Sequence, residues 1–256
     1  MYFKSEKELL KKLKNLKKNF NLRGIKAEFE AEGSSLNDIV FLRKLTNQAD
    51  VNLHIKIGGV EALNDINSCI ELGVDGIIAP MVETKFGAQK FIQSIKKFDL
   101  KEKPFLSINI ETKDGVNNHK DIISNSKNFI NNVTIGRSDL PASYFDKKII
   151  PDSKKILENI LKISKFAKKN NITTTVGGSL NSNTIKYYST IKNLSSFIKK
   201  METRKVIFNT KVFLNKKDSL KEALHFEERY IIYKKEINDF RLRSDLSRLT
   251  ALKTRL

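Results

Sequence analysis

From residue 25 onward the chain alternates short strand-like runs with helical periodicities, and this alternation constrains the fold more than any other feature. The run IKAEFEAEG precedes Ile39, Val40, Leu42 and Leu45 at helical spacing, and NLHIKIGG precedes Ala62, Leu63, Ile66 and Ile70. GIIAP leads to Phe91, Ile92 and Ile95, and FLSINIET to Ile122, Ile123, Phe129 and Ile130. NVTIGRSDL runs through a loop to a helix after Pro151 that carries Ile156, Leu157, Ile160 and Leu161; TTTVGG and KVIFNT supply two further strand candidates. Gly73 stands where a left-handed helix cap is expected before the next strand. Repeated strand-then-helix units require parallel strands, because each crossover helix returns the chain to the same edge. Seven or eight units close most easily into a (β/α)8 TIM-type barrel. The eighth strand is the least defined, since SSFIKKMETRKVIF can hold one strand or two. An open doubly wound sheet lacks its usual support, because no G-x-G-x-x-G follows the first strand.

Both flanks read as helices. In SEKELLKKLKNLKKNF, Ser5 and Glu8 form a capping-box pattern, and Leu9, Leu13, Leu16 and Phe20 form an apolar stripe. Beyond residue 215, Leu220, Ala223, Phe226, Tyr230, Tyr233, Ile237 and Phe240 recur at three- and four-residue spacing, and Leu242, Leu246, Leu249 and Leu252 extend the seam. The expected organisation is a barrel with its N-terminal helix over residues 1–215 and an extended helical segment over 216–256. Leaving that seam in water forgoes several kcal/mol at roughly 1.5 to 3 kcal/mol per large side chain, so a homo-oligomer contact beyond residue 215 is expected.

No apolar run approaches the roughly 18 residues of a membrane span, and the first 20 residues lack the apolar core of a signal peptide, so the expectation is a cytoplasmic protein without a membrane partner. The single cysteine, Cys69, reads as core. A formal charge of +19 invites a nucleic-acid reading, but only nine of the 48 basic residues are Arg and the Lys residues are scattered. Abundant Asn and Ile accompany the Lys, as a compositional drift gives, and an excess of positive charge also attracts a small anionic substrate.

A parallel barrel works at the carboxyl end of its strands. Reading those ends gives Glu30 and Glu32, Lys56, Glu83, Glu111, Arg137 and Asp139. Carboxylates gathered at one mouth repel each other, and the repulsion is relieved by raised pKa values, by Lys or Arg, or by a divalent cation. With one cysteine, and with His54, His119 and His225 in no ligand-spaced pair, oxygen ligands favour Mg²⁺ or Mn²⁺ over structural Zn²⁺. By position alone, the same carboxylates also read as solvated turn residues.

The words INIETKDGVNN, VTIGRSDLPASY, IIAPMVETKFGAQKF and HIKIGG resemble, in consistent order over roughly residues 25–180, the HpcH/HpaI aldolase and citrate lyase family. The resemblance implies a metal-dependent carbon–carbon lyase or aldolase acting on a 2-oxo acid or an acyl-thioester relative. It assigns Glu111 and Asp139 to the metal, and Gly136, Arg137 and Ser138 to the loop whose backbone N–H groups meet the substrate carboxylate. Two departures stand out. Lys56 replaces an Arg on the second strand, and Glu30-Ala31-Glu32-Gly33 replaces an Asp-x-Glu-His segment, with Gly33 where the base is expected. Either another group such as Glu32 or His54 is then the base, or the chemistry differs from simple aldol cleavage. Lys56 also permits a Schiff-base mechanism, because His54 and Lys56 share one strand face. A non-catalytic barrel that binds anions or nucleic acid is the reading from another class.

Overall fold

A computed structural model describes residues 3–255. The chain opens with α1 (Lys4–Phe20), whose buried stripe is Leu9, Leu13, Leu16 and Phe20. Ser5 does not cap it. The N-cap position falls at Phe3, without a side-chain bond, and the Ser5 hydroxyl sits in the first turn and donates to Glu236 of the last helix.

Eight strands close a barrel in sequence order: β1 (Leu22–Glu28), β2 (Leu53–Lys56), β3 (Gly76–Ala79), β4 (Phe105–Ile110), β5 (Asn132–Gly136), β6 (Thr173–Gly177), β7 (Lys200–Glu202) and β8 (Val206–Asn209). The helices between and after them are α2 (Leu36–Ala49), α3 (Leu63–Glu71), α4 (Lys85–Lys96), α5 (Lys113–Ser126), α6 (Asp139–Ala142), α7 (Lys154–Lys169), α8 (Ser182–Ser189), α9 (Leu194–Phe197), α10 (Thr210–Asn215) and α11 (Ser219–Lys253). This is an α/β barrel of TIM type with one reversal. β1 to β7 pair in parallel, whereas β8 is antiparallel to both β7 and β1. The cause is chain length: only residues 203–205 separate β7 from β8, and a parallel crossover needs about a dozen or more. The ambiguous segment therefore holds two strands as a hairpin, and its turn lies at the carboxyl end of the barrel.

α11 joins the outer layer only along its first half. Ala223, Phe226 and Tyr230 are buried, Phe41 of α2 stacks on Tyr233 with ring centroids 3.8 Å apart, and Lys12 of α1 reaches Glu222 at 3.2 Å. Leu220 and Ile237 are half-buried, but Phe240 is 59% exposed, and Leu242, Leu246, Leu249 and Leu252 are also exposed. Within one chain the apolar seam is thus covered only to about Ile237. No helix among the described residues is long and apolar enough to cross a membrane.

The barrel interior is unusually polar. The Asn132 amide lies within hydrogen-bond reach of Ser107, Thr134, Thr173 and Thr175, where layers of branched apolar side chains commonly fill such barrels. Below Lys56, toward the amino end, His54 is buried in register with Lys26 and Gly76, edge-on to Phe105 at 5.5 Å. A Cβ on Gly24 would lie 2.8 Å from its ring, so the imidazole fills space that glycine leaves. Burial, reinforced by Lys200, pushes its pKa down from 6.5 to about 4. The folded protein then binds fewer protons than the unfolded chain between those values, so His54 contributes stability present above pH 6.5 and lost as pH falls toward 4. The size is roughly 3 kcal/mol at 1.36 kcal/mol per unit. The His54 ring resonance should stay that of a neutral imidazole between pH 7 and 5 while urea midpoints fall; an imidazole titrating near its ordinary value would contradict the burial argument.

Candidate active site

β4 ends at Ile110, and the next residue, Glu111, is buried at the carboxyl end of the barrel. One of its oxygens accepts the Met81 N–H at 3.1 Å, and the other accepts the Asn109 side-chain amide at 3.1 Å. Gly136, the last residue of β5, makes room for it: a Cβ there would stand 2.8 Å from Glu111 Cβ and collide with the carboxylate. Two residues after Arg137, Asp139 opens α6 and lines the same cavity of about 460 Å³. Burial holds Glu111 above the usual carboxylate range; Lys56 opposes this, and the charge of Asp139 adds to it. Neither carboxylate forms an ion pair with a basic side chain among the described residues.

The opposite wall consists of ion pairs. Lys26 Nζ lies 3.1 Å from Glu28 Oε1 and 2.8 Å from Glu202 Oε1, and Lys56 Nζ lies 3.0 Å from Glu28 Oε2. Burial disfavours the charge on Lys26, yet Glu202 and Glu28 outweigh it and hold its pKa above the usual lysine value. For Glu28, burial is likewise outweighed by Lys26 and Lys56, which hold it below the usual range. Sequence reasoning missed Lys26, Glu28 and Glu202. Alternation in LRGIKAE, which puts Lys26 and Glu28 on one strand face, was the available signal. Thr203 and Arg204 of the β7–β8 turn, and Leu224 and Glu227 of α11, complete the cavity.

The structure brings Glu111, Asp139, Lys56, Gly136 and Ser138 to one cavity, and sets three expected residues apart from it. His54 lies one interior layer below, at the amino side of Lys56. Glu32 is drawn away in ion pairs with Lys205 and, at 3.6 Å, Arg204. Arg137 is fully buried behind the barrel: its guanidinium pairs with Asp152, bonds the carbonyls of Pro151 and Gly178 at 3.3 Å, and stacks on Tyr188. Its backbone N–H donates to Gly177 O at 2.7 Å, so the sheet has already used the donor expected to meet a substrate carboxylate. Glu30 and Glu83 are exposed, and Glu30 lines a separate depression beside α3.

Among the described residues, no group of three or more His, Cys, Asp or Glu side chains is arranged to hold a metal. Two carboxylates in an open cavity still fit Mg²⁺ or Mn²⁺, which commonly take one or two protein carboxylates and complete their shell with water and substrate oxygens. Glu111 in particular is buried and has no ion-pair partner among the described residues, a charge that such an ion neutralises. The same donor set does not suit structural zinc.

A protein-family model described as HpcH/HpaI aldolase/citrate lyase matches residues 41–203. Among solved structures, an HpcH/HpaI aldolase/citrate lyase family protein from Burkholderia cenocepacia aligns with a TM-score of 0.61 at 10% identity, covering 77% of this chain and 82% of that one. An HpcH/HpaI aldolase from Desulfitobacterium hafniense aligns with a TM-score of 0.53 at 14% identity, over 64% and 71% of the two chains. A citrate synthase variant, SbnG, aligns with a TM-score of 0.52 at 14% identity, over 71% and 77%. A search of curated proteins finds no match. At these identities the structures show a shared fold, but the family match covers well over half of the sequence and includes both carboxylate motifs, so the chain belongs to the HpcH/HpaI aldolase/citrate lyase family.

Proposed function

We propose that the protein is a carbon–carbon lyase or aldolase that acts on a 2-oxo acid or an acyl-thioester relative, with Mg²⁺ or Mn²⁺ held by Glu111 and Asp139. The observation that carries this reading is the division of charge in the cavity: Glu28 and Glu202 are paired with lysines, while Glu111 and Asp139 share a wall without one. The bound ion supplies Lewis-acid stabilisation of the negative charge on the substrate oxygens. Lys56 offers a positive point charge to the substrate in place of a bidentate fork, and Gly136 and Ser138 line the adjoining wall. An imine on Lys56 is the second reading, since its amine lines the cavity; its 3.0 Å contact with Glu28 suits an ion-pair partner better than a nucleophile.

The same reading includes a homo-oligomer in the cytoplasm. It is supported by the exposed run Phe240, Leu242, Leu246, Leu249 and Leu252 on α11, and by a lone cysteine, Cys69, that is buried and unreactive in placement. A second copy is the simplest cover for such a stripe.

Glu111→Gln and Asp139→Asn should each abolish Mn²⁺ binding by calorimetry and lower kcat/KM on 4-hydroxy-2-oxo acids by about 100-fold or more, without lowering the melting temperature. Full activity in chelator, with borohydride trapping of substrate on Lys56, would replace the metal by the imine. A chain ending at Asn238 keeps Phe226, Tyr230 and Tyr233 but loses the leucine stripe, and light scattering should show a smaller assembly than the full-length protein. A full-length monomer at micromolar concentration would defeat the oligomer.

A further inference from the structure

Aldol cleavage needs one group that takes a hydroxyl proton and returns a proton to carbon. The position expected to carry it is Gly33, which has no side chain and sits with φ at +56° in the exposed β1–α2 loop. Of the other carboxylates near the cavity, Asp139 is assigned with Glu111 to the metal and the rest are engaged. Glu28 and Glu202 are held by Lys26 and Lys56, Glu32 by Lys205 and Arg204, and Glu111 by Met81 and Asn109. Glu227 is different. It lines the cavity from α11, and its carboxylate takes part in none of the side-chain hydrogen bonds or ion pairs among the described residues.

Its position is fixed by the helix that carries it. Phe226 and Tyr230, on either side of it in sequence, are buried against the barrel, and Lys205 caps the Tyr230 ring at 4.9 Å. Leu224, one turn earlier, lines the same cavity. The α11 helix lies outside the matched residues 41–203, so this group belongs to a part of the chain the family model does not describe.

We propose that Glu227 is the acid–base residue of this site and replaces the group missing at Gly33, an inference that rests on the lyase reading above. On a 4-hydroxy-2-oxo acid, the Glu227 carboxylate takes the proton of the 4-hydroxyl. The C3–C4 bond breaks, its electron pair passes into the enolate of the 2-oxo acid, and the former hydroxyl carbon leaves as an aldehyde. The Glu227 carboxyl then returns the proton to C3, so no proton or electron is gained or lost.

The charges that act on Glu227 are Lys205 and Arg204 from the β7–β8 turn, Glu32 from the β1–α2 loop and Lys26 from β1. Burial raises its pKa and Glu32 adds to the rise, while Lys205, Arg204 and Lys26 oppose it. A base must be ionised to work, so the acidic limb of the rate profile should lie above the ordinary glutamate value of 4.5.

Glu227→Gln keeps the shape of the side chain but cannot take the proton. It should lower kcat for cleavage of a 4-hydroxy-2-oxo acid by about 100-fold or more and abolish the acidic limb, with KM and Mn²⁺ affinity changed by less than about threefold; Glu227→Asp should recover part of the rate. A variant that keeps its kcat and acidic limb in an active enzyme would overturn the assignment alone. A parallel loss of Mn²⁺ affinity and melting temperature would also overturn it, by showing a structural role. A wild-type protein that binds Mn²⁺ but cleaves no such acid would refute the lyase reading, and this inference with it.

Discussion

Five carboxylates and three basic side chains face one another across the mouth of this barrel, and the mismatch governs the site. Like charges brought together must be protonated, paired or bridged by a cation. Lys26 and Lys56 settle one side of the cavity by pairing Glu28 and Glu202. Across from them, burial and the charge of Asp139 add to the cost of ionising Glu111, and Glu227 lines the same cavity. A chain with a formal charge of +19 thus attracts anions at its surface while concentrating negative charge where a divalent cation fits.

The reversal of β8 shapes this balance. A parallel eighth strand would require a crossover helix and would deliver a long loop to the carboxyl end. The three-residue turn instead delivers Thr203 and Arg204 to the cavity and Lys205 to Glu32. It also leaves the chain at the amino end of the barrel after β8, from where α11 rises past the mouth and brings Leu224 and Glu227 over it. The final turns of that helix, with Leu246 and Leu249 exposed, extend beyond what the barrel itself can cover.

Much of this was legible in the sequence. Glu111 and Asp139 stand out in the sequence because each follows a strand of clear periodicity within a family motif, and the structure places both in the cavity lining. The barrel was legible for the same reason, since local periodicity reports on neighbours close in sequence. His54, Glu32 and Arg137 show where that reasoning stops. Alternation gives the face of His54 but not its depth, and depth separates a cavity lysine at position 56 from a buried imidazole two residues earlier. Glu32 and Arg137 were drawn off by Lys205 and Asp152, partners distant in sequence that no local pattern announces. Ser5 reads as a cap in the local pattern, but its partner, Glu236, lies at the other end of the chain.

The central claim is that Glu111 and Asp139 hold one divalent cation at the carboxyl end of the barrel. A crystal structure of the protein grown with Mn²⁺ and oxalate, a mimic of a 2-oxo acid enolate, tests it directly through anomalous scattering. The account predicts a single strong manganese peak bonded to oxygens of both carboxylates, with oxalate completing its shell beside Gly136 and Ser138. Oxalate bound against Lys56 and Lys26 with no manganese between Glu111 and Asp139 would contradict it.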